Sequence, residues 1–140
     1  MAATAIALAK ERSASVDAVY VIRVPLELDL DAELLDREEQ AAASLAEAQA
    51  LGEEHGISVE PVTVRARSIG QAIVAEAALR GSDLIVLGSA ARWRRQSAFF
   101  SPTVDYVLRN APCEVLVVAS PQGVLDETPR SPLPGSTLSA

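Results

Sequence analysis

One cysteine, one histidine, one methionine, one tryptophan and one lysine are all that a chain of 140 residues carries of these types. The single Cys113 excludes an intramolecular disulfide. With His55 as the lone histidine, no metal cluster of familiar spacing can be assembled. Aromatic residues make up 4 % of the chain, so the core must be built from Ala, Val, Leu and Ile. No stretch approaches the ~18 consecutive apolar residues of a membrane span. The first apolar run, Met1 to Leu8, has no basic residues before it and is cut short by Lys10-Glu11-Arg12, which is not a signal-peptide pattern. A cytoplasmic location without membrane insertion is therefore expected. A net charge of −7 argues against a nucleic-acid binder, because such surfaces need basic patches.

What is present is alternation of two kinds of segment. Met1 to Arg12 is alanine-rich and reads as helix. Val16 to Val24, VDAVYVIRV, is nearly all apolar and reads as a strand buried on both faces. After Pro25 the stretch LELDLDAEL reads as a loop leading into a helix over about 31–55. In that helix Leu34, Ala41, Leu45, Ala48 and Gly52 recur at helical spacing. Ten of the nineteen acids fall between Glu27 and Glu54 and read as a solvated face. Gly56 suits the residue that stops the helix, with His55 at the negative end of its dipole. Ile57 to Ala66 alternates and contains Pro61, which suits an edge strand. Ser68 caps a helix to Arg80, with Ile69, Ala72, Ile73, Ala77 and Leu79 as its apolar positions. Asp83 to Leu87 is a second buried strand, 103–110 a helix, and Glu114 to Ala119 the last strand, at whose mouth Cys113 is expected to pack inertly. From Ser120 onward the chain has four prolines, two glycines and no periodicity. Residues 120–140 therefore read as a disordered tail behind a single domain, 1–119.

Strands alternating with helices imply an α/β fold: an open parallel sheet with helices on both faces. Ligands of such sheets bind beyond the carboxyl ends of the strands. The loop that leaves one such end is GSAARWRRQSAFFSP, Gly88 to Pro102. It holds one glycine, three arginines and three large aromatics. Arg92, Arg94 and Arg95 around Trp93 suit a basic lid over an anion or a base; a surface loop packed on the sheet end is the plainer reading. Arg65 and Arg67, at the end of the outer strand, either face the same crevice or are solvated.

The stretches SDLIVLGS, TVDYVLRNAPCEVLVVAS, RARSIGQAIVAEA and VYVIRVP together resemble the universal stress protein family over residues 1–119. VPLELDLDAEL is further similar to a subgroup found free-standing or fused behind amino-acid permeases, of which this chain looks like the free-standing form. The resemblance implies a sheet of order 3-2-1-4-5 and a homodimer formed through the last strand, Val115, Leu116, Val117 and Val118. It also implies a nucleotide crevice near Val21, Leu87 and Gly88, Val21 holding the position that touches adenine. One class of the family binds ATP through Gly, two residues, Gly, nine residues, Gly, then Ser or Thr. Those four positions are Gly88, Ala91, Ser101 and Pro102 here; Thr103 stands one place late. Ala91 and Ser101 carry Cβ atoms where glycine would let the backbone approach phosphate, and Pro102 lacks an N–H.

The family's first strand, of the form ILVPVDGS with an aspartate toward adenine, has no counterpart before Ile6. That strand would lie centrally, between VYVIRV and DLIVLG. A misplaced start codon is the expected reason; a shortened chain completed by a neighbouring chain is the other. No catalytic constellation is visible: His55, Asp17 and Asp105 stand alone. The expectation is a regulatory or interaction module of the stress response with weak or absent ATP binding and no metal. The alternatives are an ATP-binding member with slow ATPase activity, in which Thr103, Arg94 and Arg95 replace the missing glycines, and a regulatory partner of a transporter.

Overall fold

The computed structural model describes residues 1–89, 101–119 and 136–139. Its elements are α1 (Ala2–Arg12), β1 (Val16–Arg23), α2 (Leu35–Glu54), β2 (Val59–Ala66), α3 (Ile69–Arg80), β3 (Leu84–Ser89), α4 (Pro102–Asn110), β4 (Glu114–Ala119) and β5 (Ser136–Ser139). The helices start and stop where local chemistry dictates. Ser68 caps α3 by accepting the Gln71 N–H, and Gly81, at φ 64°, ends it in the left-handed region. Gly56 takes φ +71° just past α2 for the same reason.

The sheet order is β2-β1-β5-β3-β4. β1 pairs with β2 and β3 with β4 in parallel, as the alternating segments imply. β2, which contains Pro61, lies at one edge and β4 at the other. The centre differs from expectation. β5 lies there, antiparallel to both β1 and β3, with Thr137 in register with Val19 and with Leu87. The tail expected to lack structure over 120–140 thus supplies a strand at 136–139, and the sheet is mixed rather than wholly parallel. The reason is non-local: β1 and β3 each offer a row of backbone donors and acceptors to any segment that reaches between them.

Two cores result. Alternation sends Ala18, Tyr20, Ile22 and Val86 to one face, under α1 and α2, with Ala41, Leu45 and Ala48 at the expected helical spacing. Val19, Val21, Ile85 and Leu87 go to the other face, under α3 and α4, with Ile69, Ile73, Val104 and Val107. Leu79, expected in this core, is instead 81 % exposed. It lies two residues from the buried Ala77, about 200° around the helix, so the two cannot share a face.

Candidate functional site

At the carboxyl end of the sheet α1, α3 and α4 present their N-termini, as does α2, whose Arg37 reaches the Arg23 carbonyl. α3 follows β2 directly, α4 opens at Pro102, and α1 begins beside Gly88, where Met1 Sδ would lie 3.5 Å from a Cβ added to that glycine. Each N-terminus carries the equivalent of roughly half a positive charge. Between α3 and α4 lies a cavity of about 440 Å³, lined by Arg23, Arg67, Ser68, Gly70, Thr103 and Tyr106 among others. Gly70 makes this junction tight: a Cβ there would sit 2.9 Å from Tyr106 Cδ1, so the ring packs directly on the α3 backbone. A second cavity of about 590 Å³ shares Arg23, Arg67 and Ser68 and extends toward Pro25, Glu27 and Arg37.

Arginines also hold the segment that walls the second cavity. Arg67 Nη1 donates to the carbonyls of Pro25 and, at 3.4 Å, Val24. Arg65 donates to the carbonyls of Leu30 at 3.1 Å and Ala32 at 2.6 Å, and pairs with Glu38. Arg37 donates to the Arg23 carbonyl. Arg65 is therefore a fastener of residues 30–38 rather than a solvated side chain, while Arg67 both fastens Pro25 and faces the crevice.

The residues singled out from the sequence fall into separate places. Val21 and Leu87 are buried in the core beneath α3 and α4, and Gly88 is exposed beside Met1. Pro102 and Thr103 line the cavity between α3 and α4. Ser101 is the N-cap of α4, its Oγ accepting the Val104 N–H at 3.2 Å. Ala91, Arg94 and Arg95 lie outside the described residues. Arg23, Ser68, Gly70 and Tyr106 were not singled out for the site. Arg23 could have been found as the charged end of an otherwise apolar strand, and Ser68 as a cap at a strand's carboxyl end.

The first turn of α4 limits what the crevice offers a phosphate. A helix N-terminus has free N–H groups to give an anion. Here Pro102, at the start of the helix, has no N–H, and Val104 already gives its N–H to Ser101. That leaves the N–H groups of Ser101 and Thr103, and the Thr103 hydroxyl. Among the described residues no group of three or more His, Cys, Asp or Glu could hold a metal, and no helix is long and apolar enough to cross a membrane.

This arrangement, an α/β sheet with helix N-termini gathered over a crevice at its carboxyl end, is the place where open α/β sheets hold their ligands. The sequence signature of the universal stress protein family matches residues 1–119, and the chain belongs to that family. A universal stress protein of Methanocaldococcus jannaschii is 33 % identical over 126 residues, covering 84 % of this chain and 72 % of its own length. Among solved structures, the universal stress protein from Archaeoglobus fulgidus in complex with dAMP superposes with a TM-score of 0.65 at 17 % identity, covering 83 % of this chain and 82 % of that one. A universal stress protein in complex with cAMP gives 0.61 at 20 % identity, with 84 % and 83 % covered. A family member from Burkholderia pseudomallei gives 0.65 at 22 % identity, with 85 % and 84 % covered.

Proposed function

We propose that the chain is a regulatory module of the stress response whose crevice holds adenine nucleotides weakly, and that it acts through contacts rather than through catalysis. The observation that carries this reading is the first turn of α4, where Pro102 and the Ser101 cap remove two of the four N–H groups that a helix start offers a phosphate. Ala91 in place of the second glycine of the family's ATP loop acts in the same direction. Calorimetric titration with ATP tests it. The reading expects a dissociation constant of at least about 100 μM, equivalent to no more than about 5.5 kcal/mol of binding free energy. A low-micromolar constant contradicts it.

A second reading, an ATP-binding member, has its own support. Arg23, Arg67 and Thr103 line one cavity beside two helix N-termini, and two structural neighbours are described in complex with dAMP and cAMP. Under that reading Thr103 and the loop arginines Arg94 and Arg95 do the work of the absent glycines, and replacing the two arginines weakens ATP binding. Self-association through β4 belongs to both readings. It is supported by that strand's edge position and by Leu116, 36 % exposed on it.

A further inference from the structure

Arg23, Arg37 and Arg67 converge on the second cavity, the one of about 590 Å³ at the carboxyl ends of β1 and β2. Other arginines of the chain pair with acids: Arg65 with Glu38, Arg80 with Asp17 and Glu76, Arg109 with Asp105. Among the described residues the three that line the cavity are in no ion pair, although ten acids lie between Glu27 and Glu54. Glu27 is the one carboxylate found on the cavity wall among those residues. Three guanidinium groups facing one carboxylate leave two positive charges uncompensated, in a chain whose net charge is −7. A concave site lined by one sign of charge concentrates its field and draws the opposite ion.

Two of the arginines are also held in place. Arg67 Nη1 donates to the carbonyls of Pro25 and, at 3.4 Å, Val24, and Arg37 Nη1 donates to that of Arg23. A carbonyl directs a guanidinium without cancelling its charge, and the remaining N–H donors stay available to a ligand. The Arg23 side chain makes no hydrogen bond among the described residues, so its whole fork of donors is open. Ser68 and Gln71 stand on the same wall at the start of α3, whose dipole adds to the positive field. Planar guanidinium forks match the oxygen atoms of phosphate. A cavity of this size suits a small molecule. Glu27, Asp29, Asp31, Glu33 and Asp36, all exposed on the adjoining segment, repel an extended anionic surface such as nucleic acid or a lipid bilayer.

We infer that this cavity is a phosphate site, in which Arg23, Arg37 and Arg67 hold a phosphate dianion, free or esterified to a small molecule. The two uncompensated positive charges match the roughly −1.5 to −2 that a phosphate monoester carries near neutral pH. Arg23 and Arg67 also border the cavity between α3 and α4, whereas Arg37 lines the second cavity alone. The site uses neither the first turn of α4 nor a place for adenine. It therefore goes beyond the nucleotide reading and stands whether or not ATP binds.

Calorimetric titration of the full chain at about 0.15 M salt, with inorganic phosphate and glycerol phosphate as separate probes, tests the site. Saturable binding with a dissociation constant of about 1 mM or tighter is expected for at least one of them. Tighter binding of glycerol phosphate identifies an esterified ligand, whose remainder lies along Pro25 and Leu26. Equal or tighter binding of inorganic phosphate identifies the free ion. Arg23→Gln and Arg37→Gln should each weaken the better probe at least about tenfold. Arg23→Gln removes charge without breaking a described hydrogen bond, and Arg37→Gln tells the two cavities apart. Arg23→Lys, which keeps the charge, should bind more tightly than Arg23→Gln. Arg12→Gln, the same loss of charge at the far end of α1, should stay within about twofold of the unaltered chain. The inference is overturned if neither probe saturates by about 10 mM, or if either cavity variant binds as the unaltered chain does. An equal loss in Arg12→Gln and Arg23→Gln, the mark of diffuse charge, overturns it too.

Discussion

The Ser101 side-chain oxygen accepts the Val104 amide hydrogen at 3.2 Å, with Pro102 between them at the start of α4. This one contact serves the fold and takes up a first-turn N–H. It satisfies an N–H that a helix otherwise leaves for water or a ligand. Ser101→Ala is expected to cost about 1 kcal/mol of stability, as loss of an N-cap does. Urea unfolding would show a lower midpoint with an unchanged slope. Ser101→Asn keeps an acceptor in the same place and should stay within about 0.5 kcal/mol of the unaltered chain.

Gly52 and Gly70 both mark close approaches, with different consequences. A Cβ at Gly52 would meet the Ile57 carbonyl oxygen at 2.7 Å, close to where the chain turns from α2 into β2. At Gly70 the nearest atom is Tyr106 Cδ1 at 2.9 Å, on a ring able to shift. Both changes to alanine overpack, at a cost of about 1–3 kcal/mol. Gly52→Ala is expected to be the more damaging in denaturant titrations, because backbone yields less than a side chain. Gly70→Ala should also change the near-ultraviolet signal of Tyr106.

Burial pushes the Cys113 thiol above its ordinary range, and the nearby carboxylates of Asp83 and Glu114 add to the shift. The folded chain therefore keeps this proton to higher pH than the unfolded chain does. Its stabilising contribution is complete below the unfolded thiol's pKa, about 8.5, and is lost as pH rises through the folded value. Between about pH 8 and pH 10 the unaltered chain should lose more stability than Cys113→Ser, as read from urea midpoints across that range. Equal losses would show that the thiol is not held protonated by the fold.

The parts of the fold that announce themselves in the sequence are those with local causes. Val16 to Val24 is apolar along its length because β1 has a core on each face, and Pro61 marks β2 as an edge. Ser68 caps α3 and Gly56 follows α2 as their residue types predict. The strand at 136–139 has no such signature. Ser-Thr-Leu-Ser is extended here because β1 and β3 flank it, a partnership made by residues more than forty positions away. The candidate site divides along the same line. Pro102 and Thr103 were legible from the loop that precedes them. The cavity they share with Arg23 and Tyr106 is lined by residues from separate elements, with the Tyr106 ring against Gly70, a juxtaposition no local pattern encodes.

The central claim, that the first turn of α4 limits nucleotide binding, is tested most directly by restoring its donors. Ser101→Gly frees the Val104 N–H, and Pro102→Ser supplies both an N–H and a hydroxyl at the start of the helix. Hydrogen bonds to charged groups are worth about 1.5–3 kcal/mol each. Calorimetric titration with ATP should therefore find the double variant binding at least about tenfold more tightly than the unaltered chain. Equal affinity of the two proteins, or low-micromolar binding by the unaltered chain, would contradict the account.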